Sequence, residues 1–390
     1  MKKIRISKRK PFGFSSFARM VIALAVISTL MLTGCATKSA EGTVSSFAAV
    51  DNQAGAGDTT IASAAGSSAD EAQAESSVPA QADFALVPTA ELRIGSLKGP
   101  TTIGLLHLMA DIDSGKVSAP YSFVMETDPS ALSAKVVSGE VDVALVPANL
   151  AAVLYNKTKG GVVALNINTL GVLDCVSSDE SVNHISDLAG KTVLMTGQGA
   201  TPEYALRYLL NANGVTDCTI SFAAEATEIA ARLKEEEGLI AILPQPFATS
   251  ALMQNEKLSR RFSLTDEWAS ATEDSVLVTG VTIMRKEVLN AIGVEEANLF
   301  TELQSTSIAQ VLEDQDLTAT LAVKQEIIAK EQIAKAALPF CGLPTDKEGG
   351  GLAIRGPVME KYLSGYLQTL YDADPASVGG QVPDEGFYFK

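Results

Sequence analysis

Histidine and tryptophan are scarce in this sequence, which has two histidines and one tryptophan among 390 residues. His107 falls on a predicted helix and His184 in a polar loop, and neither has a neighbouring residue that would suit catalysis or metal binding. The sequence also has no Gly-x-Ser-x-Gly, His-Glu-x-x-His or Cys-x-x-Cys motif. We therefore predict no catalytic residue, no metal site and no cofactor, and we expect a protein that is not an enzyme.

Cysteine is also rare, with four residues in the chain. Cys175, Cys218 and Cys341 lie far apart in sequence, which disfavours a metal cluster or a redox pair. An odd number of these downstream cysteines argues against a full disulfide framework. Buried thiols are the favoured interpretation, and a bridge between Cys175 and Cys218 is left open, because disulfides form outside the cell.

The apolar run near the N-terminus, residues 20–32, is too short to span a bilayer, which takes about 20 residues. Seven Lys and Arg residues and no acidic residue precede it, and Leu32-Thr33-Gly34-Cys35 follows it. This order is typical of a secretory signal, here residues 1–34. The Leu-x-Gly-Cys ending resembles the bacterial lipobox, which implies that Cys35 carries a lipid anchoring the protein to the extracytoplasmic face of the cell membrane. The alternative is a plain secretory signal in which Cys35 is incidental.

Positive charge is in short supply. The formal net charge of −16 becomes more negative once residues 1–34 are removed, because that segment carries only basic charges. Nucleic acids and anionic lipid surfaces attract basic proteins. We therefore expect no nucleic-acid partner, and membrane association through the lipid alone.

Residues 36–80 consist mostly of Ala, Ser, Gly and Thr, without the period of a helix or a strand. Such a segment cannot bury enough apolar surface to offset its loss of chain entropy. We predict that residues 35–90 comprise the lipidated cysteine and a disordered tether.

Residues 91–390 are long enough for two domains, and strands alternate with helices along much of this region. This alternation predicts an α/β fold with parallel sheets covered by helices on both faces. The predicted strands are residues 91–95, 121–125, 141–146, 161–166, 171–176, 191–196, 219–222, 239–243 and 276–284. The predicted helices include residues 100–110, a helix after Asp128-Pro129 that ends at Gly139, residues 202–213 capped by Thr201, and residues 227–237, 319–336 and 357–373.

Ligands of open α/β sheets bind beyond the carboxyl ends of the strands, where helices begin. Four such junctions combine glycine, hydroxyl or amide side chains with a helix start, whose free N–H groups favour anions. An ordinary capped loop is the alternative at each junction. The third junction, residues 196–202, lacks the Lys-Ser/Thr ending of a Walker loop, which excludes that kind of nucleotide site. The predicted ligand-binding residues are Lys98, Gly99, Thr101, Thr102, Asn149, Gly199, Thr201 and Gln245.

Three segments of the sequence resemble those of a known protein family. The segment Asp187-Leu188-Ala189-Gly190-Lys191-Thr192-Val193 opens the second half, and SGEVDVALVPAN at residues 138–149 and ILPQPFATSAL at residues 242–252 lie in the expected order. Together they resemble the binding proteins of ABC importers for nitrate, sulfonates, taurine and thiamine precursors. The resemblance spans roughly residues 90–390.

This resemblance implies a type II periplasmic-binding-protein fold, in which two doubly wound sheets are joined by a two-strand hinge. Lobe 1 would comprise residues 91–175 and 277–390, and lobe 2 residues 176–276, with the chain crossing near residues 173–176 and 276–280. The cleft loops would be residues 98–102, 147–149 and 197–201, together with Gln245.

The function predicted on this basis is capture of a small, anionic or polar solute by hinge closure. A monomer would then deliver the solute to an ABC permease and its ATPase. The alternative from another class is a small lyase on the same fold, acting on a carboxylated substrate. The chosen cleft loops contain no Asp, Glu or His, which argues against general acid–base catalysis. A sensory protein without a transporter is a further alternative.

Overall fold

A computed structural model describes residues 87–272, 275–345 and 347–390 of the chain. The predicted signal segment, Cys35 and most of the predicted tether lie outside the described residues. The strands in the described part are β1 (Leu92–Leu97), β2 (Tyr121–Glu126), β3 (Val143–Pro147), β4 (Val162–Leu170), β5 (Leu173–Ser177), β6 (Thr192–Met195), β7 (Thr219–Phe222), β8 (Ile240–Pro244), β9 (Ser259–Ser263) and β10 (Val278–Arg285).

Helices cover these strands, and several short 3₁₀ turns complete the loops. The α-helices are α1 (Pro100–Ile103), α2 (Leu106–Asp113), α3 (Pro129–Ser138), α4 (Ala148–Lys157), α5 (Thr201–Ala212), α6 (Ala226–Glu235), α7 (Phe247–Gln254), α8 (Leu264–Ala271), α9 (Lys286–Glu313), α10 (Gln315–Lys324), α11 (Glu331–Ala337) and α12 (Gly356–Ala373).

The described strands form two five-stranded sheets, with the orders β2-β1-β3-β10-β4 and β7-β6-β8-β5-β9. We refer to the first sheet with its helices as the first lobe and to the second sheet with its helices as the second lobe. Both lie within one compact unit. The predicted α/β fold with two doubly wound sheets and a two-strand connection is confirmed.

The prediction that the sheets are parallel is wrong for one strand in each. β10 runs antiparallel to β3 and β4, and β5 runs antiparallel to β8 and β9. Both strands follow a crossing between the lobes. The chain therefore enters each of these strands from the side of the connection, opposite to the direction of its neighbours.

Local sequence signals set the ends of several helices. Asp128 is the N-cap of α3, where its side chain accepts a hydrogen bond from the Ser130 N–H, and Pro129 occupies the first helical position. Gly139 ends α3 with φ 80°, a left-handed conformation that glycine adopts without steric cost. Both ends were predicted.

Other helix predictions fail in detail. Ala200, and not Thr201, is the N-cap residue of α5, and Thr201 is the first residue of the helix. The predicted helix at residues 100–110 is divided into α1 and α2 near Gly104, where an added Cβ would lie 2.9 Å from Cγ1 of Ile308. The predicted helix at residues 319–336 is likewise interrupted between α10 and α11 by a loop in which Glu326 has φ 54°.

The lobes pack together beside α12 and also where α7 contacts α11. Helix α12 contacts α4 of the first lobe and α5 of the second. The ring of Trp268, which is fully buried, lies 5.4 Å from the ring of Tyr366 on α12 and 4.7 Å from that of Tyr208 on α5. The tryptophan is therefore part of the core that joins the lobes.

An ion pair between an exposed arginine and a buried aspartate ties the first strand to the residue that precedes the third. Arg93 on β1 directs its guanidinium at Asp142, with Nη2 2.6 Å from Oδ1, and its backbone N–H donates to the same carboxylate. Burial alone would raise the pKa of Asp142, but the hydrogen bonds and charge of Arg93, together with the charge of Arg285, lower it below its ordinary value.

Candidate functional site

A cleft of about 1030 Å³ lies between the two sheets. This volume is at the upper end of the range of small-molecule sites, about 300–1,000 Å³. Its walls consist mainly of loops that follow the carboxyl ends of strands and lead into helices, which is where ligands of α/β sheets bind.

Both lobes contribute helix starts to this cleft. The first lobe supplies the N-terminal residues of α3, at positions 127–130, and of α4, at positions 147–150. The second lobe supplies residues 196–200 before α5, residues 224–227 at α6, and Phe247 at the start of α7. Each helix start presents backbone N–H groups and the positive end of the helix dipole.

Some of these donors already have partners. The Gly199 N–H donates to Oε2 of Glu203 at 2.7 Å, and Asp128 occupies the Ser130 N–H at 2.8 Å. Within the described part of the chain, no side chain caps the starts of α4 and α6. A helix start without a side-chain cap can offer its backbone N–H groups to a ligand.

Lys98 is the cationic side chain in the described lining of the cleft. Its Nζ lies 3.1 Å from Oε2 of Glu326, a carboxylate that is 83% exposed. Asp128 and Glu225 also line the cleft and are exposed, and Glu225 accepts from the Thr227 hydroxyl at 3.3 Å. The predicted cleft loops contain no carboxylate, but residues outside those loops bring Asp128, Glu225 and Glu326 into the lining.

Three of the eight predicted ligand-binding residues line the cleft: Lys98, Asn149 and Gly199. The lining in the described part of the chain does not include the other five. Gly99 is the N-cap residue of α1, and the hydroxyls of Thr101 and Thr102 lie 3.4 Å and 2.5 Å from the Leu97 carbonyl oxygen. These three residues close the turn between β1 and α1.

Thr201 and Asn149 bond to each other across the two lobes. The Thr201 hydroxyl donates to Oδ1 of Asn149 at 3.1 Å, and both side chains are buried. Nδ2 of Asn149 donates to the Ser377 carbonyl oxygen at 3.2 Å. In this structure the two residues therefore connect the lobes at the edge of the cleft.

Gln245 belongs to a buried cluster at the connection between the lobes. Its Nε2 donates to Oδ2 of Asp174 on β5 at 2.7 Å, and Thr249 donates to its Oε1. Arg260 lies 3.2 Å from the same carboxylate and 3.6 Å from the ring centroid of Phe340. Burial raises the pKa of Asp174, while the charge of Arg260 and the hydrogen bond from Gln245 act in the opposite direction.

Sequence reasoning missed three stretches of the lining: residues 127–130, residues 224–227, and positions 326–329 in the loop before α11. A signal existed for the first, because Asp128-Pro129 was identified as a helix start directly after a strand. The rule that ligands bind where a helix begins after a strand would have included residues 127–130 as well. The loop before α11 follows a helix and not a strand, so the rule does not reach it.

The remaining singled-out residues lie outside the cleft lining. His107 is buried and 2.8 Å from the Thr318 hydroxyl, and burial lowers the pKa of His107. Cys175 and Cys341 are buried free thiols, and Cys218 is a half-buried free thiol. Within the described ranges, no group of His, Cys, Asp and Glu side chains is arranged to hold a metal ion. None of the helices in those ranges is long and apolar enough to cross a membrane.

Solved structures of similar fold include several binding proteins. An ABC transporter protein from Parabacteroides distasonis is 18% identical, with a TM-score of 0.63 over 77% of this chain and 99% of that chain. The periplasmic aliphatic sulphonate binding protein SsuA from Escherichia coli is 12% identical, with a TM-score of 0.58 over 77% and 93%. The alkanesulfonate-binding protein SsuA from Xanthomonas axonopodis pv. citri, bound to MOPS, is 14% identical, with a TM-score of 0.55 over 78% and 98%.

These similarities confirm the fold that the resemblance to importer-binding proteins implied. No curated protein sequence is significantly similar to the chain. A protein-family model does match, and it is not one for nitrate, sulfonate, taurine or thiamine-precursor binding: it is described as menaquinone biosynthesis and matches residues 92–337. Because this match spans more than half of the 390 residues, the chain belongs to the menaquinone biosynthesis family.

Proposed function

We propose that the protein is a lipid-anchored solute-binding protein that captures a small anionic or polar solute and delivers it to an ABC importer. The observation that carries this proposal is the cleft itself, into which both lobes direct the starts of helices. A solute held there contacts two lobes at once. Its binding energy therefore favours the closed arrangement of the lobes, which is the form a permease would recognise.

The donors of the cleft support an anionic or polar solute. Helix N-termini stabilise negative charge, and the uncapped start of α4 lies in the same cleft as Lys98. The exposed carboxylates of Asp128 and Glu225 oppose a large, multiply charged anion. A small solute with a single acidic group fits this balance.

A solute screen tests the proposal. Purified protein is heated with sulfonates, nitrate, bicarbonate, pyrimidines and amino-acid-like anions, and any compound that raises the unfolding temperature is titrated by calorimetry. We expect saturable one-to-one binding and unchanged solute afterwards. Chemical conversion of the bound compound would contradict a role in transport alone.

The lipid anchor is tested separately, because Cys35 lies outside the described residues. We expect a palmitate label in cells to be incorporated into the wild-type protein and not into Cys35→Ala. The variant would be released from membranes, while Cys218→Ala serves as the control that keeps both label and location. Equal labelling of the Cys35→Ala protein would exclude acylation at this position.

Membership of the menaquinone biosynthesis family favours a second candidate function, a lyase acting on a carboxylated substrate. Such an enzyme needs a general acid or base in the cleft, and Asp128 and Glu225 are two carboxylates placed there. The test is incubation with carboxylated menaquinone precursors, followed by mass spectrometry. Turnover that is lost in an Asp128→Asn, Glu225→Gln protein would establish the enzyme.

A further inference from the structure

A second, smaller pocket of about 290 Å³ opens beside the cleft, and we call it the annex. One wall consists of α6 and α7 of the second lobe. The other consists of the loop before α11 and of Ile333, which belong to the helices packed on the first lobe. Five residues line both the cleft and the annex, so the two spaces adjoin: Thr227, Phe247, Ile327, Ile328 and Ala329.

The surface of the annex is apolar. Ala230, Ala231 and Ile333 contribute aliphatic groups, and in the described part of the chain no ionisable side chain lines it. Two of its polar side chains satisfy each other, because Nε2 of Gln254 donates to Oγ of Ser250 at 2.9 Å. The annex therefore offers burial to hydrocarbon and few hydrogen bonds.

The volume of the annex limits which chemical groups can fit inside it. A dry cavity of about 150 Å³ is enough to hold benzene, so the annex has room for a ring system or a short alkyl chain but not for a protein segment. The cleft beside it supplies the opposite chemistry. Lys98 contacts Glu326, which immediately precedes the shared residue Ile327 in the chain.

We propose that the annex binds the apolar end of the solute whose acidic group is held in the cleft, so that the solute is an amphipathic anion. This inference rests on the proposed binding function. Because the annex has walls from both lobes, an apolar group inside it contacts both. Burial of hydrocarbon then adds to the preference for the closed arrangement.

The test is calorimetric titration of the full folded protein with methanesulfonate, butanesulfonate and hexanesulfonate. Each methylene that enters the annex is expected to tighten binding about four-fold. Ala231→Phe places a ring in the annex, and we expect it to remove this dependence on chain length while leaving methanesulfonate binding unchanged. Ala212→Phe is the matched control, because Ala212 is also an exposed helical alanine but lines neither pocket.

Three results would contradict the proposal that the annex binds the apolar end of the solute. They are equal affinities for the three sulfonates, no binding of hexanesulfonate, and the same chain-length dependence in both alanine variants. The proposed function fails in a different way. If nothing in the screen other than long-chain sulfonates binds, and hexanesulfonate still distinguishes Ala231→Phe from Ala212→Phe, the apolar pocket stands without the transport role. If a polar solute binds and chain length has no effect, the transport role stands without the annex.

Discussion

Oδ1 of Asn149 accepts a hydrogen bond from the Thr201 hydroxyl at 3.1 Å, and this bond joins a helix of the first lobe to a helix of the second. Both residues were predicted to bind the solute, and in this structure their side chains bond to each other. The bond is buried, so loss of its donor leaves an acceptor with one partner fewer in a place that water reaches poorly.

Replacement of Thr201 by valine is expected to lower the free energy of unfolding by about 1–3 kcal/mol, because Oδ1 of Asn149 then lacks its donor. Urea unfolding followed by circular dichroism measures the change. Thr192→Val is the matched control, since Thr192 is exposed and its side chain makes no hydrogen bond to another described residue. Equal stability of the two variants would show that the inter-lobe bond contributes nothing measurable.

Lys98 is expected to contribute to anion binding. We expect Lys98→Met to weaken the binding of methanesulfonate about ten-fold, since hydrogen bonds to charged groups contribute about 1.5–3 kcal/mol and this amine is partly exposed. Lys116→Met, which removes an exposed lysine remote from the cleft lining, should leave the affinity unchanged.

The partner of Lys98 gives a prediction of opposite sign. Glu326→Gln removes the carboxylate that competes with the solute for Lys98, so we expect a gain of a few-fold in affinity, in keeping with the roughly 0.2–1 kcal/mol of an exposed ion pair. The gain should shrink as salt is raised. Weaker binding by Glu326→Gln would show that the carboxylate helps to hold the solute.

The lowered pKa of Asp142 predicts that the difference in stability between wild type and Asp142→Asn grows with pH. The folded pKa of Asp142 is lowered, so its stabilising contribution is present above the unfolded value of about 3.9 and is lost as the pH falls through the folded value. Asp142→Asn should therefore be less stable than wild type by about 2 kcal/mol at pH ~7. The deficit should shrink below pH ~4. Asp217→Asn should show no such dependence, because Asp217 is exposed and its side chain makes no hydrogen bond within the described ranges.

The raised pKa of Asp174 predicts the opposite pH dependence of stability. Its folded pKa is raised by burial, so its contribution to stability is fully present below the unfolded value and is lost as the pH rises through the folded one. The stability of Asp174→Asn relative to wild type should therefore increase from pH ~3 to pH ~7. Urea unfolding of both proteins across this range measures it, and a flat difference would mean that burial and the Arg260 charge cancel.

The sequence predicted the architecture well because each strand and helix carries its own local signal. The run at residues 141–146 is apolar apart from Asp142, as expected of a strand covered on both faces, and Asp128 and Gly139 mark the ends of α3. Strand direction has no such local signature. The antiparallel course of β5 and β10 follows from where the chain crosses between lobes, which is a long-range property.

The site was predicted less completely for a related reason. Loop composition identifies donors but not what they bond to, so Thr201 and Gln245 were predicted to contact solute although their side chains bond to Asn149 and Asp174. The loop before α11 reaches the cleft only through the packing of α10 and α11. Nothing in its own residues points there.

The position of β10 between β3 and β4 has a consequence for biosynthesis. The second sheet is complete once residue 263 has been made, because its five strands are continuous in the chain. The first sheet lacks the strand between β3 and β4 until residues 278–285 have been made. Domains generally fold as units while the chain is made from its N-terminus. The second lobe can therefore complete its sheet first, although the first lobe begins earlier in the sequence, because the first lobe still needs β10.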